Sequence, residues 1–220
     1  MAVYSKDAKL ATLLMDYPSL IPVVNRLGIR LGVGDKTVEK ICEMHHIDST
    51  FFLSIVNTFI DDEYFPSNYI DSFSLDKIID YLEKTGEYYL YVQLKNIEHH
   101  FNLLIKISGD DNNLIHLRKF FYEMKRQLEE SLLYEKDNLF PKLRNKDLNG
   151  ISKDRILEVS YDVEDKLQDL LTFFVVHLHG NYDMNLCTGV VTAIFSLKKD
   201  INQNNRIRTR ILIPLIEKLN

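Results

Sequence analysis

The chain has 220 residues, of which 45% are hydrophobic and 27% charged, and its 27 Lys and Arg against 32 Asp and Glu give a formal net charge of -5. That acidic balance argues against nucleic-acid phosphates as partners, and 8 Gly with 5 Pro are few for a turn-rich all-β chain. No run of about 18 uncharged apolar residues occurs, Lys6, Asp7 and Lys9 interrupt any leader-like start, and Cys42 and Cys187 lie far apart without C-x-x-C spacing. These features read as a cytoplasmic protein with free thiols and no membrane span.

The first sixty residues read as short helices with sharp punctuation. Leu10 to Met15 is an apolar block stopped by Asp16-Tyr17-Pro18. Ser19 is the expected cap of a second helix through Val23, Val24 and Leu27, with Pro22 tolerated in its first turn. Gly28, Gly32 and Gly34 mark a turn region. Asp35 or Thr37 starts a third helix through Val38, Ile41 and Cys42, and Asp48 or Ser49 caps a fourth from Phe51 to Ile60. Residues 61–74 mix acids, Pro66, Ser and Asn without helical periodicity, as a linker does.

Four long helical patterns follow, over about 75–107, 113–140, 152–179 and 183–217. In the first, Ile78, Leu82, Tyr89, Leu94, Ile97, Phe101 and Leu104 recur at three- and four-residue spacing. Asp110-Asp111-Asn112-Asn113 breaks it, the second is expected to stop before Pro141 with a loop over 142–151, and Gly180-Asn181 ends the third. Long helices with short connections predict an up-down-up-down four-helix bundle. The expected division is a small helical domain over 1–60, a linker over 61–74, and the bundle over 75–220.

The second and fourth helices share an ending. Glu135-x-x-x-Leu139-Phe140-Pro141 is echoed 73 residues later by Arg208-x-x-x-Leu212-Ile213-Pro214. In an up-down bundle these helices run parallel, so echoed positions lie at equal heights. The first ending resembles the H-x-x-x-E-x-x-x-L-F-P signature of hemerythrin-like domains, in which His and Glu share one helix face and pairs from two helices help cage two irons. Leu27-Gly28-Ile29 followed by Gly34, Thr37, Glu39 and Cys42 is similar to the small helical domain that precedes such a bundle in the iron–sulfur cluster repair proteins. The two matches cover nearly the whole chain. They imply an all-α protein of that two-domain order, associated with nitrosative and oxidative stress.

This chain departs from the family at the residues that carry its chemistry. The family's Cys-Cys pair falls on Gly32 and Val33. The second-helix ligand pair falls on Ser131 and Glu135, the fourth-helix pair on Asn204 and Arg208, and the first-helix histidine at or next to Glu87. Further family histidines fall around Ser108 and within Ser160 to Glu164, where this sequence has none. Only Glu87 and Glu135 remain as candidate metal donors, and no cofactor is expected, with a di-iron centre as the alternative. Arg208 is expected either to fill the inherited position as an ion pair with Glu135, helped by Ser131, Asn204 and Tyr88 or Tyr89, or to point outward in a solvated stripe with Arg206 and Arg210.

Other constellations are weaker. His116, His177, His179 and Asp183 gather near one expected end of the bundle and form a candidate relocated metal site. His99 and His100 lie about 120° and 140° round the helix from Glu87 at about 100° per residue, which turns both to solvent. Thr37 to Asn57 has a helix–turn–helix rhythm, but Ser49 to Asn57 offers no basic residue to a base edge. No Gly-rich phosphate loop or nucleophile elbow occurs. The expected function is that of a non-enzymatic binding or regulatory protein, with a protein partner or a second copy as its target. The alternative is an iron-binding relative with an altered ligand set.

Overall fold

The computed structural model describes residues 4–66, 70–108, 113–151 and 153–218, with the side chains of 71, 153–155 and 158–161 outside that description. The expected breaks at Asp110 to Asn112, and part of the 61–74 stretch, lie outside the described residues. So do the side chains of Ser160 and Tyr161.

The described chain is all-helical, with an isolated antiparallel bridge between Lys9 and Thr37. The short helices are α1 (Leu10–Asp16), α2 (Ile21–Arg26), α3 (Val38–Met44) and α4 (Ser49–Ile60). α1 stops where Tyr17, the residue before Pro18, leaves the helical region of backbone space. Ser19 does not cap α2: it lies in a 3₁₀ turn, Pro18–Leu20, that runs straight into the helix. Thr37 and Asp48 do cap α3 and α4, accepting hydrogen bonds from the Lys40 and Phe51 amides at 3.2 and 2.8 Å. Gly28, Gly32 and Gly34 all have positive φ, which makes the turn between α2 and α3 cheap for glycine alone.

The long stretches are α5 (Leu75–Tyr88) with α6 (Leu94–Ser108), α7 (Leu114–Tyr134) with α8 (Phe140–Arg144), α9 (Lys153–Thr172), and α10 (Met184–Ile207) with α11 (Ile213–Glu217). A π-helical turn follows each of the four: Tyr89–Gln93, Glu135–Leu139, Phe173–His177 and Arg208–Leu212. Two of these turns have a plain cause. Pro141 and Pro214 lack an amide proton, and their rings crowd the carbonyls of Asp137 and Arg210 four residues back. Widening the preceding turn lets the helix continue past the proline. The expected stop before Pro141 is therefore a correction, since the helix resumes as α8 to Arg144. Neither of the other two π turns has a proline to supply the same cause.

The chain divides into two compact units, residues 1–85 with 203–220, and residues 86–202. They do not coincide with the expected 1–60 and 75–220. In the first unit, long-range bonds tie the C-terminal helix to the end of α4. Gln203 Nε2 donates to the Phe59 backbone carbonyl at 2.7 Å, and the Arg210 side chain donates to the backbone carbonyls of Asp61, Asp62 and Tyr64, the last at 2.7 Å. Residues 61–64, Pro66 and the 3₁₀ turn Ile70–Ser72 thus belong to a packed unit, with Ile70 and Phe73 buried. In the second unit, one apolar core draws on all four long stretches, including Ile97, Phe101, Phe121, Met124, Leu167, Phe174, Val190 and Ile194. α7 packs against α6 and α9. No described helix is long and apolar enough to cross a membrane.

Candidate functional site

The 73-residue echo holds in the backbone. The π turn and the short helix after it occupy 135–139 and 140–144 in one half and 208–212 and 213–217 in the other. Glu135 and Arg208 each open their π turn, and both are buried, at 7% and 5% exposure. The two residues fall in different compact units.

Burial settles which way Arg208 points. It lies inside its unit, not in a solvated stripe, while its neighbours Arg206 and Arg210 are half-buried and engage the 61–64 segment. Asn204, one turn earlier, is buried at 3%, with Gln203 and Asn205 beside it. A guanidinium is protonated at every accessible pH and has no lone pair for a metal.

Glu87 differs from the expectation for a metal donor. It is exposed, and its carboxylate meets Lys136 Nζ at 3.5 Å. Its neighbour explains this. Gly86 is buried where α5 meets α7, and a Cβ there would lie 3.2 Å from Leu132 Cδ2. With position 86 facing the neighbouring helix, position 87 is turned about 100° aside. Ser131 is half-buried. Tyr89 is buried with its ring 6.4 Å from that of Tyr88, while Tyr91 is exposed and lies under Lys95 Nζ.

None of the seven histidines is buried. His45, His46, His99, His116, His177 and His179 are exposed and His100 is half-buried. Among the described residues no group of three or more His, Cys, Asp or Glu is placed to hold a metal. His116, His177, His179 and Asp183 are therefore not drawn into a relocated site. Their segments have capping roles instead: Asn113 Nδ2 donates to the His177 carbonyl at 2.9 Å, and the Asp183 carboxylate caps α10 by accepting from the Leu186 backbone amide at 2.8 Å. Ser108 accepts from the Asp183 amide.

The remaining motifs resolve as packing. Cys42 is 1% exposed, and burial, helped by the Asp48 charge, pushes its thiol up to about 12, so it stays protonated and inert at neutral pH. Cys187 belongs to the apolar core of the second unit. On α4 every residue from Phe51 to Phe59 except Leu53 is buried, leaving no face for a nucleic-acid groove.

A di-iron centre needs several imidazole and carboxylate donors converging in a protein interior. The residues present at the family's positions do not fit it. They include a buried arginine and a buried asparagine, a half-buried serine, and one glutamate that faces solvent. No protein-family model matches the chain, and no curated protein matches it.

Proposed function

We propose that this is a non-enzymatic binding or regulatory protein, a degenerate relative of the iron–sulfur cluster repair proteins in which the hemerythrin-like bundle persists and the metal chemistry has gone. The observation that carries this reading is the burial of Arg208 where the resemblance places a ligand carboxylate. A permanent cation in that position repels a dication and has no lone pair to donate to it. The absence of any buried imidazole supports the same reading.

A binding role is supported by apolar side chains left at the surface of the second unit. Phe173, Val175 and Val176 are exposed at the end of the third long stretch, and Met184 and Phe195 on α10. Large apolar side chains left exposed, three of them within four residues at 173–176, favour contact with another protein or a second copy.

The alternative, an iron protein with an altered ligand set, draws on the buried carboxylate of Glu135. One measurement separates the two. Protein purified from iron-supplemented cells is expected to be colourless between 300 and 400 nm and free of stoichiometric metal. About two irons per chain, as the family's di-iron site holds, would overturn the proposal.

A further inference from the structure

We propose that the cavity over the first turns of α4 is a binding site for a small organic carboxylate with a flat apolar body. The cavity lies wholly within the unit of residues 1–85 and 203–220 and has a volume of about 330 Å³, within the range of small-molecule sites. It does not depend on how the metal question is decided.

α4 supplies its floor. Thr50, Leu53, Ser54 and Asn57 recur at three- and four-residue spacing and so form one stripe of the helix, and all four line the cavity. Ser54 is 1% exposed, and its hydroxyl has no hydrogen-bond partner. A helical serine commonly returns its hydroxyl to the carbonyl four residues back, which would be that of Thr50. Here it does not, so a buried donor and acceptor remains on the cavity stripe at a cost in stability.

The walls are fixed in place. Asn57, 2% exposed, holds the Tyr4 backbone by two hydrogen bonds, its Oδ1 accepting from the Tyr4 amide at 3.0 Å and its Nδ2 donating to the Tyr4 carbonyl at 3.2 Å. The Tyr4 ring packs edge-on against Tyr17, and its hydroxyl donates to Asp16. On the other side, the Tyr64 backbone carbonyl is held by Arg210. A site whose walls are already ordered loses less entropy on binding.

The charge points to a monoanion. Lys6 is a cation of the lining, and no acidic residue is among the described lining residues. Ser49 and Thr50 open a helix of 12 residues and bring their hydroxyls to the lining, while the positive end of the helix dipole is met by the capping Asp48 carboxylate. Asp48, which caps that helix, lines a different cavity. Lys6 Nζ is 2.9 Å from Glu39, but an ammonium carries three donors and can hold a second acceptor. One lysine with hydroxyls around it balances a single negative charge, whereas a phosphate monoester carries nearly two. Tyr4, Leu53 and Tyr64 provide apolar surface for the rest of the molecule.

The test uses the full chain, with benzoate as the probe, benzamide as its uncharged analogue and inorganic phosphate as a bare anion, each titrated into ¹H–¹⁵N spectra. Benzoate is expected to shift the amides of residues 4–6 and 49–57 saturably with a dissociation constant below about 1 mM, and benzamide to bind about ten-fold more weakly. Lys6→Gln, at an exposed position, should remove most of the benzoate affinity and leave that for benzamide unchanged. Ser54→Ala should raise the melting temperature of the free protein while weakening benzoate several-fold. Amides unmoved by benzoate, equal affinity for benzamide, full affinity in Lys6→Gln, or phosphate binding as tightly as benzoate would each overturn the proposal.

Discussion

The interiors of the two compact units are built differently. Among the described residues of 86–202, the core is almost wholly hydrocarbon, with Gln93, Glu135 and Asp200 as buried polar side chains. In the unit of 1–85 and 203–220, buried Leu, Ile, Val and Phe are interleaved with Arg26, Ser54, Asn57, Thr58, Thr85, Gln203, Asn204, Asn205 and Arg208. Apolar burial is non-directional, and it tolerates exchange if volume is kept. A polar interior is directional, because each group must meet a partner or carry a penalty. The first unit is thus the place where a single chemical change is felt irrespective of size.

Two substitutions sharpen that contrast. Phe121 is fully buried in the second unit, with its ring 5.9 Å from that of Phe101. Phe121→Ala is expected to lower the unfolding free energy by about 3–5 kcal/mol, and Phe121→Leu to recover most of it by restoring volume. Arg208→Ala is expected to cost about 3 kcal/mol, since it deletes a long buried side chain and leaves the polar groups that meet it without their partner. Here Arg208→Met, which keeps the length and drops the charge, should recover little. Urea denaturation of the four variants decides it. Thermal stability unchanged in Arg208→Ala, or full recovery in Arg208→Met, would break the comparison.

The sequence shows periodicity and echo well, and distance poorly. The four long helices, the caps at Thr37 and Asp48 and the 135/208 correspondence could all be read locally, because each rests on residues within a few turns. The continuation through Pro141 could not, because proline ends helices unless a widened turn precedes it. The placement of residues 61–64 was hidden for another reason. It depends on Arg210 and Gln203, more than 140 residues away in sequence. Glu87 was misplaced because helix spacing gives a face only when one knows which residue meets the neighbour, and that residue is Gly86. The α4 cavity left a faint signal in the hydroxyl and amide stripe Thr50, Ser54 and Asn57, masked by the apolar residues around it.

The smallest effect concerns the charges of the second unit, which gather at the rim of its core. Lys125 Nζ lies 2.6 Å from Glu98, with side chains 16% and 29% exposed, and the Tyr122 hydroxyl donates to the other carboxylate oxygen at 2.9 Å. The hydrogen bond from Lys125 holds the Glu98 carboxyl below its ordinary value of 4.5, against the opposing pull of desolvation. The folded state therefore gives up this proton more readily than the unfolded chain. The stabilisation is complete above about pH 4.5 and disappears as the pH falls through the lower, folded value. Because the pair is partly solvated, its contribution should stay below about 1 kcal/mol. Glu98→Gln is expected to lower stability slightly at pH 7 and to flatten the loss between pH 4.5 and the acid limit, as read from urea midpoints across that range. An unaltered acid slope in Glu98→Gln would mean that even this pair does no more than cover the core beneath it.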